Sequence, residues 1–484
     1  MAQKPMFQRY RSAWVGAIGG ILLAVYPTIA IAQISGDGTL GTQVNGALTA
    51  PCTGNCIITN GATRGRNLFH SFRQFSLPNG DFAGFVMTPA IQNVIVRVTG
   101  VGQPFISNIN GTIATTNAAV TAINPTNFFL INPNGIIFDP NASLLIDNSF
   151  LATTASRMQF ADGTEFRTND PAPLLTVSVP IGLQFNGTPG SIQMQGSFFS
   201  TSNTRFSDFA LVGDEITLDN TTIRTPGRRV ELGGVAESGN VGLIINGNSL
   251  SLSFPEKVAR SNVSLSGNSL VQVTAANGGS IAVNAKDINL IGRSIIDAGI
   301  LPNAGSVTSR AGNITLNASG GLTLGQKSLV RNLLFPSAVG NSGDITIVAS
   351  SLKIADGSQI AAGILGSGNA GNITILVNDT VFIDGINGNF PSGILTPVGS
   401  GGTGNAGNIQ ITAKGLSLTN GGQVQALVAT NGNGSAGNIN INVSDTLSLD
   451  GTGGDQLRSG ILVIWSLCLW VKVGVLTFQL DHCK

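Results

Sequence analysis

The chain has 484 residues, 10% of them charged and 64 of them glycine, with a formal net charge of +1. So few charges beside 42% hydrophobic residues exclude a disordered acidic or basic tail, and near-neutrality removes the footprint that a nucleic-acid partner would need. Glycine without a three-residue period excludes collagen, and 2 histidines with 4 cysteines leave little for a metal or acid–base centre.

The chain opens with Lys4, Arg9 and Arg11, then an almost uncharged stretch from Ala13 to Ile31, then Ala30-Ile31-Ala32 before Gln33. A basic start, an apolar centre and a small-x-small site predict a secretory signal peptide over residues 1–32. An uncleaved anchor is the alternative, and Gly19-Gly20 with Pro27-Thr28 argue against a firm spanning helix. Export makes Cys52 and Cys56, four residues apart, candidates for a small disulfide loop. Two free buried cysteines are the other reading. A zinc site would need further ligands, and only His70 is near.

From residue 33 the texture is uniform. Strand-sized apolar runs such as Val94-Ile95-Val96-Arg97-Val98 and Ile216-Thr217-Leu218 alternate with Gly, Asn, Asp and Ser. No window carries a capped amphipathic helix, so residues 33–450 read as all-β. In Phe128-Phe129-Leu130-Ile131-Asn132-Pro133-Asn134-Gly135-Ile136-Ile137-Phe138, Pro133 presets a turn, and Asn134 with Gly135 tolerates left-handed backbone. Two strands joined by a tight corner follow, with either Phe128 and Leu130 or Phe129 and Ile131 facing inward. Asn124 and Asn132 are placed to bond backbone at corners.

The second half repeats. Ala311-Gly312-Asn313-Ile314-Thr315 returns around Gly343, Gly371, Gly407 and Gly437, with a weaker copy at Gly279. Each unit carries a second short strand, such as Leu416-Ser417-Leu418, and often a third, such as Gln423-Val424-Gln425. Irregular repeats of 28–36 residues built only of short strands predict a parallel β-helix over 246–450, roughly 14 to 20 coils in the whole mature region. Glycines at these six positions are expected to turn corners at positive φ, and asparagines to stack from coil to coil. A propeller or a sandwich explains the recurring Gly-Asn-Ile less well.

Several ordered motifs carry a resemblance to a known family. Asn132-Pro133-Asn134-Gly135-Ile136 is preceded by Asn67-Leu68-Phe69-His70-Ser71-Phe72 and Asn93-Val94-Ile95-Val96-Arg97-Val98-Thr99-Gly100. Ser149-Phe150-Leu151-Ala152-Thr153-Thr154-Ala155, Pro180-Ile181-Gly182-Leu183 and Gly227-Arg228-Arg229-Val230-Glu231-Leu232-Gly233 follow. Together, over residues 33–245, they resemble the secretion domain of filamentous-haemagglutinin-type exoproteins of two-partner secretion systems, cyanobacterial members in particular. The resemblance implies a right-handed parallel β-helix with extra-helical strands. It implies a partner, an outer-membrane β-barrel transporter with polypeptide-transport-associated domains. It carries Asn67, Asn132, Pro133, Asn134 and Gly135 over as signature positions for secretion competence and corner geometry. Asp139 departs from the glycine common in relatives, and a modest turn change is expected there.

Other motifs carry nothing. Three of the four GxGxxG windows recur in the repeat linkers with no helix after them, and there is no phosphate loop, HExxH or GxSxG. Ser71 and Asp81 beside His70 do not make a triad, which is a matter of geometry. No cofactor, no metal and no enzyme activity are expected. Arg224, Arg228 and Arg229 form the densest basic cluster and read as a solvated face. The apolar tail over 451–484, including Gly460 to Leu476, breaks the pattern. A membrane span, a swapped-strand cap and a truncated or frameshifted end are its three readings. The expectation is a secreted or outer-surface exoprotein with an adhesin-like or structural role and a glycan or cell-surface receptor. The alternative is a polysaccharide-binding or polysaccharide-cleaving rod that needs no dedicated transporter.

Overall fold

The computed structural model describes residues 33–117, 119–200, 207–247, 249–451, 457–465 and 476–480. The signal-peptide reading of 1–32 lies outside them. Apart from one 3-10 turn at Gln103–Phe105, every regular element among the described residues is a β-strand.

The strands wind into a parallel β-helix with three sides. A typical coil runs Asp208–Gly213, Ile216–Asp219 and Thr222–Arg224, and each strand pairs in parallel with its counterparts in the flanking coils. Among the described residues thirteen strands stack along the first side, from Asn67–Phe75 and Asn93–Val98 to Ile439–Asp450 and Leu476–Leu480. That is fewer than the 14 to 20 coils expected. The reason is that the chain leaves the helix twice. After Phe150–Thr153 it departs and returns at Ile192–Gln195; after Arg229–Gly234 it departs and returns at Val263–Ser266. The two excursions form a separate antiparallel sheet in the order Glu165–Arg167, Arg157–Phe160, Pro180–Phe185, Gly239–Asn246, Ser249–Ser253. Its inner face covers the first coils with Met158, Phe160, Phe166, Leu183 and Val241, forming a second core outside the bore.

This second core answers the register question at Asn127–Ile131. Phe128 and Leu130 fill the bore, while Phe129 and Ile131 pack under the extra-helical sheet. Both alternations are buried because the strand is covered on both faces.

The first rung would leave an open strand edge. It is covered by antiparallel pairing with Ile34–Gly36 on one half of Asn67–Phe75 and Ala62–Arg64 on the other. Cys52 and Cys56 are joined by a disulfide beside this cap, and Cys52 exchanges backbone hydrogen bonds with Ile34 at 3.0 and 2.8 Å.

In the repeats, Ile281, Ile314, Ile345, Ile373, Ile409 and Ile439 stand in one register and fill the bore. The glycines follow a different logic from the one expected. Gly279 does have φ +82°, but Gly312, Gly343, Gly371, Gly407 and Gly437 do not lie at positive φ. A Cβ at each of these five would meet the carbonyl oxygen of the repeat glycine one coil back, far inside van der Waals contact. Close stacking of backbone on backbone, rather than a left-handed turn, requires glycine there. The asparagine stacking is present: Asn313, Asp344, Asn372 and Asn408 each accept the backbone N–H of the next coil's equivalent residue at 2.7–3.0 Å. A second ladder joins Asn341, Asn369 and Asn405.

The described parts of the tail continue the coils. Gly460–Trp465 pairs with Gln423–Val428, and Leu476–Leu480 with Ile439–Val443. No helix among the described residues is long and apolar enough to cross a membrane.

Candidate functional site

The asparagines that the resemblance singles out form two clasps around the first coils. At the Asn132 corner, the fully buried Asn132 side chain donates to the Phe105 carbonyl at 2.8 Å and to Ser107 Oγ at 2.9 Å. Its Oδ1 accepts from the backbone N–H and Nδ2 of Asn134 at 3.1 and 2.8 Å. Asn134 in turn donates to the Gly100 carbonyl and accepts the Gly102 N–H, both at 2.8 Å. The Pro133 carbonyl accepts Gly190 N–H at 2.9 Å, which ties the corner to the end of the first excursion. Gly135 has φ +123°, a region essentially closed to other residues, and its missing Cβ leaves room for the Ser191 carbonyl. Asn124 also bonds backbone at its corner, donating to Met87 and Thr116 carbonyls at 3.1 and 3.0 Å.

Asn67 forms the other clasp. It donates to the carbonyls of Thr176 and Ser178, more than 100 residues away, at 3.1 and 2.8 Å. Its Oδ1 accepts from Asn93, whose Oδ1 accepts from Asn127, so an asparagine ladder crosses the first three rungs. These amides supply both donors and acceptors to buried backbone, which an apolar residue of equal size would leave unsatisfied.

Between the clasps lies a network that sequence reasoning passed over. Arg97 stands in Val94-Ile95-Val96-Arg97-Val98 and looks like an exposed residue of an alternating strand. It is fully buried instead. Its Nε donates to Ser71 Oγ at 2.8 Å, one Nη donates to the Arg167 carbonyl, and its guanidinium lies 4.8 Å from the centre of the Phe166 ring. Ser71 Oγ bridges the two charges, donating in turn to Asp37 Oδ2 at 2.5 Å. Burial lowers the Arg97 pKa, and Asp37 and Asp170 pull it back up. Burial alone would raise Asp37, but hydrogen bonds from Ser71, Thr39 and Thr99 hold it below the usual carboxylate range. The network thus joins the capping segment, the first two rungs and the extra-helical hairpin. No signal in the sequence marks it, since a lone arginine in an apolar strand reads as exposed.

His70 faces the bore, opposite to its neighbour Ser71. Its Nδ1 lies 3.3 Å from Thr42 Oγ1, its Nε2 has no partner, and Phe85 packs edge-on at 5.3 Å. Burial depresses its pKa to about 3. Asp81 accepts the Gly54 N–H at 2.6 Å instead of facing either residue, so these three make no triad. In the basic cluster, Arg229 pairs with buried Glu231 at 2.9 Å, while Arg228 is exposed. Burial raises the Glu231 pKa, against the lowering effect of Arg229. Among the described residues no three His, Cys, Asp or Glu side chains gather as metal ligands would.

A protein-family model described as the TPS secretion domain matches residues 32–283. The chain belongs to the TPS secretion domain family. It is therefore a two-partner secreted exoprotein, whose partner is an outer-membrane transporter and whose secretion domain is not an enzyme. Among solved structures, the HMW1 secretion domain from Haemophilus influenzae aligns over 88% of this chain and 99% of its own, at 16% identity and a TM-score of 0.54. That likeness extends the family assignment to the fold, a right-handed β-helix. The filamentous hemagglutinin secretion domain aligns over 84% of this chain and 99% of its own, at 13% identity and a TM-score of 0.35. No curated protein sequence matched the chain.

Proposed function

We propose that residues 33 to about 245 are the module recognised by the outer-membrane transporter, through its polypeptide-transport-associated domains. The 246–450 repeats then serve as an adhesin-like or structural surface rod, delivered after export through a signal peptide over residues 1–32. The observation that carries this reading is the clasp geometry. Asn67, Asn132 and Asn134 each bond backbone of a segment at least 25 residues away in sequence; Asn67 and Pro133 fasten the first excursion onto the helix, and Asn132 and Asn134 hold the segment from Gly100 to Phe105. A transporter that reads the folded or folding N-terminal domain would then depend on these side chains, although none of them does chemistry. Stacked Asn, Ser and Thr on the rod present amide and hydroxyl groups to a glycan or cell-surface receptor.

The test is release into the medium with and without a cognate transporter, for the intact protein and for Asn132→Ala/Asn134→Ala. Release is expected to need the transporter and to be blocked by the double substitution. Purified, refolded variant with native-like circular dichroism separates a recognition defect from misfolding. Equal release in all four cases removes the two-partner role from residues 33–245.

A further inference from the structure

One corner of the repeats departs from what stability alone would select. Successive coils turn there through residues at left-handed φ, each bonded to the next coil. Asn268 N–H donates to the Gly292 carbonyl at 2.8 Å, Arg293 to Gln326 at 3.0 Å and Lys327 to Asp356 at 3.1 Å. Comparable positions at Asn220, Asn268 and Asn420 hold asparagine, which tolerates this backbone. Arg293, Gln326 and Lys327 hold φ of 62°, 58° and 62° with side chains that do not, while Asp356 at 55° is of the tolerant kind. Strained backbone that persists under charged side chains is a pointer to function.

The same corner is a groove of about 430 Å³ crossing several coils. Neither Arg293 nor Lys327 has a carboxylate within ion-pair distance among the described residues, although Asp356 lines the same groove. One wall is an insertion. The longest repeat interval, from Gly371 to Gly407, contains the small hairpin Ile386–Asn387 and Phe390–Pro391. The hairpin is fixed to the coil before it, since Gln359 Nε2 donates to the Pro391 carbonyl at 3.0 Å. It holds the Phe390 ring 58% exposed, with Lys327 Nζ 5.8 Å from the ring centre. An exposed aromatic ring held beside unpaired cations and side-chain amides, of which Gln326 Oε1 accepts the Gly292 N–H at 3.0 Å, is costly on a plain surface and useful against a ligand.

We propose that this groove binds a linear, carboxylate-bearing polysaccharide lying along the stacking direction. The proposal rests on the surface-binding part of the reading above and gives it a site. The coils repeat every ~4.8 Å, close to the length of one sugar unit in an extended glycan, so Arg293 and Lys327 on adjacent coils meet carboxylates on successive units. Asn268, Asn387 and the Gln326 amide face hydroxyls, and the Phe390 ring takes the apolar face of a sugar. Two cations beside an aspartate are too few to hold a polynucleotide, which also needs repeated aromatic platforms. The groove lacks the apolar centre of a protein interface.

The test uses the full chain, purified, with polygalacturonate, neutral dextran and duplex DNA as immobilised probes. Binding to polygalacturonate is expected, with dextran and DNA far weaker. Arg293→Asn/Lys327→Asn should weaken it about tenfold or more, as loss of charge-assisted hydrogen bonds does. Phe390→Ala should weaken it less. Asparagine suits the left-handed corner, so the double variant should melt no lower than the intact protein while it loses binding. A merely structural role for the two cations predicts the opposite pairing. Absence of polygalacturonate binding, binding indifferent to the double substitution, or equally tight DNA binding overturns the proposal. The assay needs no transporter, so a failed secretion test leaves it standing and its own failure leaves the secretion reading standing.

Discussion

The two halves of this β-helix solve one packing problem with different materials. In the first coils the bore is filled by rings: Phe85 meets Phe128 at 4.9 Å, Phe128 stacks on Phe150 at 6.1 Å, and Phe150 on Phe209 at 5.6 Å. Excursions and a buried arginine network bind these coils to segments far away in sequence, and a disulfide closes a short loop beside the first rung. The later coils use Ile, Leu, Val and Ala in repeated register, and glycine and asparagine ladders that touch only the next coil. Long-range fastening suits a domain that must hold its own end closed. Nearest-neighbour stacking suits a rod that can lengthen by adding units.

Breaking the ring column should show the contrast most strongly. Phe128→Ala is expected to cost about 3–5 kcal/mol and to destabilise the first coils as one unit. Ile375→Ala in the repeats should cost about 2–5 kcal/mol, but its effect on hydrogen exchange should stay within the adjoining coils. If both substitutions spread equally along the chain, the contrast between the halves is wrong.

His70 sharpens the comparison by pH. Its folded pKa near 3 lies below the ordinary 6.5, so the unfolded chain takes up a proton where the native chain does not. Stability contributed by neutral His70 is complete above pH 6.5 and is lost as pH falls toward 3, by about 5 kcal/mol at most. Denaturation midpoints across that window should fall less steeply for His70→Phe than for the intact protein. Parallel curves would mean that His70 titrates normally.

On the repeat side, Gly371→Ala forces a Cβ against the Gly343 carbonyl and is expected to cost about 2–4 kcal/mol. Gly385→Ala, with open space around the added Cβ but φ +82°, should cost about 1 kcal/mol. Thermal melts of the two variants separate stacking from backbone strain. An effect between these two is expected at the cap. Reducing Cys52–Cys56 frees a short loop and should lower stability by about 2 kcal/mol, read as a shift in the first-coil transition with and without reductant.

The corner at Asn132–Gly135, the all-β class and the repeat from Gly279 to Gly437 were legible because each rests on local chemistry. Proline presets φ, alternation marks strands, and a repeated unit must stack on itself. Asn67 drew attention only through the resemblance, and nothing in the sequence marked it as a clasp on residues 176–178. Arg97 was not legible at all, since one exposed-looking arginine in an apolar strand becomes buried only when a distant hairpin lies over it.

The sequence by itself determined that the chain stacks short strands into a solenoid and where its coils turn, because those properties follow from period and backbone preference. It also placed glycine at the repeat corners. Only the tertiary structure decided why glycine is needed there, which strand faces are both buried, and how Arg97 finds Ser71, Asp37 and Phe166. These depend on which backbone comes to lie against which, and contact between segments tens of residues apart leaves no periodic mark on either one.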